Sequence, residues 1–320
     1  MKAARITAPG NVEMADVPAV QPEKGQVLVR MVVGAICGSD LHHLREHYPK
    51  EAYPLRPGYS GHECAGIVEI GDGRRFRPGD RVLVLPPDYN GFAEMVACAP
   101  RWLLRLPDEI PWKEAVLAQQ LGTVLYCVRR LGSVVGADVV VLGQGPAGLL
   151  FDQWFRVHGA RSVTGIDVVP HRLEIAEAMG ATHRINASRT DAAQAIRRRL
   201  PGGADIVVEA VGKPETLNLI PELVHEAGRI AFYGIPPKGE ITFRFEAFFR
   251  RYATTVSSAR AQLEPGLRSF RKALRQIQSG EIDVKPMISH ELSLTEITRA
   301  FRLAETREQG AVKIVLRLGG

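Results

Sequence analysis

The sequence predicts an α/β fold in two parts. A β-rich domain is drawn from both ends of the chain, and a doubly wound parallel-sheet domain is inserted between them. Three observations predict it. Residues 138–167 read as strand, glycine turn, helix and strand within about thirty residues. From about 123 to 258, short apolar strands alternate with helical stretches, the rhythm of a parallel sheet with helices on both faces. Residues 1 to about 120 lack that alternation and carry short β-branched runs between turn signals.

The 138–167 stretch is the organising element. Val139 to Leu142 read as a buried strand, followed by Gly143-Gln144-Gly145-Pro146-Ala147-Gly148, a helical run to His158, and a second strand ending at Asp167. Gly143 permits a tight turn. Gly145, without a Cβ, lets a pyrophosphate approach the backbone, and Gly148 lets helix and strand pack closely. The helix start, with Pro146 and Ala147, offers unpaired N–H groups and the positive end of the helix dipole to phosphates. Asp167 is placed to accept the two ribose hydroxyls of NAD, and its charge would repel the 2′-phosphate of NADP. Arg172 close behind favours the phosphate and leaves the alternative open.

In the front segment, strands are expected at 27–34, 64–71, 81–85 and 92–98, separated by turns such as Arg77-Pro78-Gly79-Asp80. In the middle, strands at 139–142, 163–167, 205–211 and 229–234 alternate with helices at 171–180, 191–200 and 214–228. Pro214 opens the last helix and Gly228 closes it. The tail predicts helices over 265–280 and 294–310, and a final strand over 311–318. That strand has no helix after it, so it needs the front sheet as host.

Composition bounds the function. A chain of 320 residues, 45% apolar and 24% charged, is of ordinary globular character and long enough for two domains. Neither a secretory leader nor a membrane span is legible, so the expectation is a cytoplasmic protein. The four cysteines are scattered without a CxxC pair and read as free thiols or metal ligands. The net charge of +6 comes from dispersed arginines. The runs Arg197–Arg199 and Arg250-Arg251 lack interleaved aromatics, so they predict solvated helix faces and no nucleic-acid partner.

Two motifs carry the chemistry: Cys37-Gly38-Ser39-Asp40-Leu41-His42 and Gly61-His62-Glu63. With GQGPAG, RPGDRV, GFAEMV, EAVGKPETL and GAVKIVL in that setting, the chain resembles the zinc-containing medium-chain dehydrogenase/reductase family, which includes alcohol, sorbitol and threonine dehydrogenases. The resemblance implies a GroES-like catalytic domain (1–122 and 259–320) and a Rossmann domain (123–258). It implies Cys37 and His62 as zinc ligands, Glu63 as a direct or alternate ligand, and Asp40 as the acceptor that orients His62. Ser39 would hold the alcohol proton and pass it towards the coenzyme ribose and His42. Thiolate, imidazole and carboxylate are donors that suit zinc. The backbone of Gly234 and Ile235 would contact the nicotinamide, and Lys313 would reach the pyrophosphate.

Two departures qualify the resemblance. The family's third ligand is usually Cys, Asp or Glu at the place where this chain has Gln119, and a neutral amide is a poor zinc ligand. Either zinc sits on Cys37, His62, Glu63 and water, or it binds weakly. The loop that carries four cysteines for a structural zinc in many relatives is here LVLPPDYN, without a cysteine, so one catalytic zinc and no structural zinc is expected. Tyr89, Asn90 and Phe92 after that short loop are candidates for shaping a pocket. His43 reads as a cleft or exposed loop residue, and Cys64 as a buried small side chain. The resulting expectation is an NAD-dependent dehydrogenase of a small secondary alcohol or polyol, a homodimer or homotetramer. Its rivals are a zinc-free NADPH-dependent quinone or enone reductase of the same fold and a nucleotide-binding protein without turnover. The first is opposed by the Cys37 and GHE motifs; Gln119 alone supports the second.

Overall fold

The computed structural model describes residues 1–319. The chain forms two compact units: Met1–Gln120 with Glu264–Gly280 and the segment from Ile288 onward, and Leu121–Leu263 with Glu281–Met287.

The first unit opens with the hairpin β1 (Lys2–Ala8) and β2 (Asn11–Asp16), which pair antiparallel. Then come β3 (Val27–Ala35), helix α1 (Gly38–Arg45), β4 (Glu63–Ile70), β5 (Arg81–Val84), β6 (Met95–Cys98) and β7 (Leu103–Arg105). A four-residue helix α2 (Trp112–Ala115) follows, and α3 (Ala118–Leu131) starts in this unit. β3 is nine residues long and buried at all but two positions, which marks it as the central strand. The expected strand over 92–98 is shorter at its start because Phe92 to Glu94 make separate bonds: Phe92 N–H to Gly58 O (3.0 Å) and Glu94 N–H to Lys2 O (3.0 Å).

The second unit is wound around six parallel strands: β8 (Asp138–Leu142), β9 (Ser162–Asp167), β10 (His183–Asn186), β11 (Ala204–Glu209), β12 (Val224–Phe232) and β13 (Thr254–Ser257). Their spatial order is β10-β9-β8-β11-β12-β13, every pair parallel. The order reverses between β8 and β11, the switch point where such sheets open a crevice beyond the strand C-termini. Helices α4 (Pro146–Val157), α5 (Pro170–Ala178), α6 (Ala192–Arg199), α7 (Pro214–Leu223) and α8 (Phe245–Phe249) lie between strands. β8 and β9 are buried at every residue, the mark of strands covered on both faces. Val140, Leu142, Ile166, Val207 and Ile230 meet Ile196, Leu217 and Ile220 in one apolar cluster.

Helix α7 ends at Leu223 and not near Gly228. Pro221 has no N–H for the helix ladder, and Val224 is taken by the sheet, paired with Ala204. Residues 225–228 bulge before pairing resumes at Arg229, with Ala227 at φ 59°.

The tail supplies α9 (Arg268–Gln278), β14 (Ile288–Ser293), α10 (Ile297–Thr306) and β15 (Lys313–Arg317). β15 pairs antiparallel with β3 and parallel with β14, giving the sheet order β14-β15-β3-β4-β5-β7 with β6 also on β3. Glu281–Met287, expected with the first domain, belongs to the second unit. Gln153 Nε2 donates to Asp283 O (3.1 Å), and His158 Nε2 lies 3.4 Å from Glu281 Oε1, which ties this segment to α4.

Candidate active site

Strand register assembles the metal-ligand candidates. β3 pairs with β4 so that Ala35 stands opposite Glu63 and Gly34 opposite Cys64. Cys37, two residues beyond β3, therefore arrives beside Glu63, which opens β4, and His62 just before it. One ligand atom from each of Cys37, His62 and Glu63 lies within 4.8 Å of the others. Ligands about 2.0–2.3 Å from zinc stand roughly 3.5 Å apart in a tetrahedron, so shifts of about an ångström complete the site.

Backbone and side-chain bonds hold this geometry. Asp40, fully buried, accepts from the Cys37 N–H (2.7 Å) and from Ser60 Oγ (2.7 Å). Its Oδ1 lies 3.2 Å from His62 Nδ1, and that nitrogen is also 3.1 Å from Ser60 O. A carbonyl only accepts, so Nδ1 carries the proton there and Nε2 remains for a metal. Burial lowers the His62 pKa, but the Asp40 carboxylate and the Cys37 sulfur outweigh it and hold the imidazole well above the usual histidine value. Ser39 Oγ lies 3.3 Å from Nε2, on the metal side of the ring.

Glu63 is fully buried, and its Oε1 has no hydrogen-bond partner among the described residues. Its Oε2 lies 2.5 Å from Lys313 Nζ, which also donates to Ile36 O (3.2 Å). Lys313 comes from β15, whose Ile314 O receives the Ile36 N–H (3.0 Å). This corrects the expected pyrophosphate contact: Lys313 is fully buried within the first unit, its ammonium committed to Glu63. A buried carboxylate oxygen without a donor, beside a thiol and an imidazole, fits a cation. Gln119 is buried near the start of α3, and no described hydrogen bond takes its side chain to Cys37, His62 or Glu63.

Around this cluster, burial and then Arg45 lower the His42 pKa, and burial chiefly lowers that of His43. His43 Nδ1 pairs with Tyr59 Oη (2.8 Å), whose hydroxyl meets Tyr48 Oη (3.1 Å). Tyr89, at φ 53°, sets its ring 5.4 Å from His62 and 5.9 Å from His43. Burial, followed by Asp40 and Glu63, pushes the Cys64 thiol up, which makes it an inert core group. Tyr59 and Ser60 escaped sequence reasoning, because nothing in PGYSG marks its side chains as facing a histidine.

In the second unit the fingerprint glycines are required by contact. Gly143 has φ 91°, and a Cβ there would fall 2.5 Å from Val211 Cγ2 across the switch point. A Cβ on Gly148 would fall 1.8 Å from Gly143 O. Gly145 instead has only Arg172 Nη1 within 4 Å of its absent Cβ, at 3.7 Å, so the turn is open there and the guanidinium borders it. Gly145 caps α4, with Pro146 at the first helical position and Ala147 next. Asp167 ends β9 and accepts from the N–H groups of Gln144 (2.6 Å), Val168 (2.7 Å) and Val169 (2.9 Å). Gly234 packs on the β11 turn, where a Cβ would fall 2.2 Å from Gly212 N, and half-exposed Ile235 follows it.

The family description "Zinc-binding dehydrogenase" matches residues 146–279, and "Alcohol dehydrogenase GroES-like domain" matches residues 23–108. The chain belongs to the zinc-containing medium-chain dehydrogenase/reductase family. Within that family it is 28% identical to an L-threonine 3-dehydrogenase from Chromobacterium violaceum, over 98% of each chain. It is 25% identical to a sorbitol dehydrogenase from Bacillus subtilis, over 99% of this chain and 97% of the relative. A solved zinc-binding dehydrogenase from Sinorhizobium meliloti 1021, bound to NADP, superimposes with a TM-score of 0.85 at 27% identity, over 99% of this chain and 98% of that one. The first unit contains the family's GroES-like domain and the second its parallel-sheet nucleotide fold. No described helix is long and apolar enough to cross a membrane.

Proposed function

We propose that this dehydrogenase oxidises a secondary alcohol or polyol with NAD, using one zinc held by Cys37, His62 and Glu63. The observation that carries the reading is their convergence, with Glu63 Oε1 buried and without a donor. Zinc bound there would supply Lewis acidity, which makes the substrate hydroxyl easier to deprotonate and its carbon a hydride donor to the nicotinamide. Asp40 and Ser60 fix the tautomer and aim of His62. Ser39 Oγ, beside that ring, takes the hydroxyl proton. His42, held below the usual histidine range by burial and Arg45, is neutral at pH 7 and suited to receive it. Gly234 and Ile235 offer backbone to the nicotinamide, and the open Gly145 with Pro146 and Ala147 receives the pyrophosphate.

Asp167 at the end of β9 supports NAD; Arg172 beside Gly145 is the observation that favours NADP. A homodimer or homotetramer is the assembly we infer, with β13 as the open edge of the nucleotide sheet.

The test is metal analysis of the purified protein, with NADH and NADPH formation followed over a panel of polyols and secondary alcohols. About one zinc per chain and NADH formation on at least one substrate is expected. Cys37→Ser should cut turnover by about a thousandfold or more, since a lost ligand removes the metal, and leave NADH binding close to wild type. Full turnover in that variant, or a wild-type chain that binds no zinc, overturns the metal half of the reading.

A further inference from the structure

Beneath the fingerprint turn lies a polar pair that the proposed reaction does not use. Gln144 stands between the first two fingerprint glycines, yet its side chain is fully buried. The amide lies on the bare Cα of Gly165 in β9: a Cβ there would come within 2.8 Å of Cδ and 3.0 Å of both Nε2 and Oε1. Nε2 donates to Val141 O in β8 (3.2 Å), and the main-chain N–H donates to Asp167 Oδ2 (2.6 Å). One residue thereby ties the turn to β8 and to the carboxylate that ends β9.

Asp152 is the second member. It lies one helical turn beyond Gly148 on α4, fully buried on the face that carries Leu149 and Phe155. Gln144 is its polar neighbour, but among the described residues neither carboxyl oxygen, nor Gln144 Oε1, completes a well-aligned hydrogen bond. Burial holds the Asp152 pKa well above that of an exposed aspartate, which keeps the neutral acid in place. A neutral carboxyl can donate to an amide oxygen and accept from an amide N–H, so acid and amide are matched partners. As core filler, an aspartate is inferior to an apolar side chain.

We propose that Gln144 and Asp152 form a buried acid–amide clasp that positions the fingerprint turn and the Asp167 carboxylate for the adenosine ribose of the coenzyme. Both are positioning residues, since neither side chain reaches the surface. The inference rests on the nucleotide reading of Gly143–Gly148 and adds a determinant of coenzyme choice that lies outside the ligand's reach. Loosening the clasp frees Asp167 from its Gln144 anchor, so the coenzyme that depends on that carboxylate loses most.

The experiment is titration of NADH and NADPH by fluorescence on the full chain, with thermal midpoints alongside, for wild type, Gln144→Met, Asp152→Leu and Asp152→Asn. Gln144→Met nearly keeps side-chain volume, whereas Asp152→Leu keeps the branching but adds bulk, so the thermal midpoints separate overpacking from loss of the clasp. Each should weaken NADH binding about tenfold, the worth of one buried hydrogen bond, and NADPH binding less, so the NADH-to-NADPH affinity ratio falls. Asp152→Asn, which keeps an amide-matched partner, should restore the ratio. An unchanged ratio in both apolar variants, with or without a lower midpoint, overturns the clasp and leaves the coenzyme reading standing. A wild-type chain that binds neither nucleotide overturns the reading and the clasp with it.

Discussion

The buried acids around the metal-ligand cluster of the first unit and around the fingerprint turn of the second are held in opposite ways. In the first, Glu63 faces the Lys313 ammonium and Asp40 faces His62, so each carboxylate lies against a cation or a group that can become one. In the second, Asp138 at the start of β8 pairs with Arg161, but the acids around the fingerprint turn meet backbone, a hydroxyl or an amide. Asp167 accepts three main-chain N–H bonds, Glu209 accepts from Val211, Gly212 and Thr216 Oγ1, and Asp152 has only an amide for company. Burial raises the Glu209 and Asp152 pKa values; the hydrogen bonds that Glu209 accepts, and the Gln144 amide beside Asp152, act against that rise. Cation-facing carboxylates suit a metal and a proton path, whereas amide-bound ones fix turns that receive a ligand.

The largest effect should come from the cation side of this contrast. Lys313→Met strands the Glu63 carboxylate without its partner in a site that excludes water. Removing one member of a buried pair costs about 3–5 kcal/mol, and replacing both is far milder. Urea unfolding of the metal-free protein should therefore show Lys313→Met much less stable and the Lys313→Met, Glu63→Gln double variant largely recovered. A single variant as stable as wild type would mean that the pair contributes nothing. The same variant, once zinc-loaded, should regain more stability than wild type does, because the metal replaces the missing cation.

On the backbone side, Gly148→Ala sharpens the comparison. Its Cβ would fall 1.8 Å from Gly143 O, a main-chain atom that cannot rotate away. Relief requires moving the turn, at about 1–3 kcal/mol, and with it the N–H groups that receive phosphate. NADH titration should show severe loss of affinity while zinc content stays normal. Normal binding would place the pyrophosphate elsewhere.

What was legible in the sequence follows the range of each interaction. CGSD, GHE and GQGPAG are local: the spacing of residues a few positions apart already fixes a cap, a turn or a helix start. The parallel sheet was legible because its strands are nearly all apolar and its helices separate them. The partner of Lys313 was not, since Glu63 lies 250 positions away in the chain and only the β15–β3 and β3–β4 registers bring the two together. Helix α7 was overextended because its apolar period continues through a bulge that tertiary pairing imposes. β14, ISHELS, was missed because its polar residues mask the period of two. Asp152 left a trace, an acid on the apolar face of α4, but its amide partner sits inside a motif normally read only for its glycines.

The smallest effect isolates the acid that has no cation. Asp152 is protonated in the fold at pH values where the unfolded chain has already ionised, so between the ordinary aspartate pKa and the raised folded one the native state binds the extra proton. Stability from this group is therefore intact below about pH 4 and declines as pH rises, by about 1.4 kcal/mol per pH unit at most. Asp152→Asn has no proton to lose. The variant should match wild type closely near pH 4 and exceed it increasingly towards pH 8, in urea midpoints read across that range. Glu209→Gln bears on the same sign, since its folded pKa is also raised, but its three donors temper the slope. If the difference between Asp152→Asn and wild type stays flat with pH, the carboxyl is ionised in the fold. A cation would then have to lie beside it, and the contrast between the units would fail at its sharpest point.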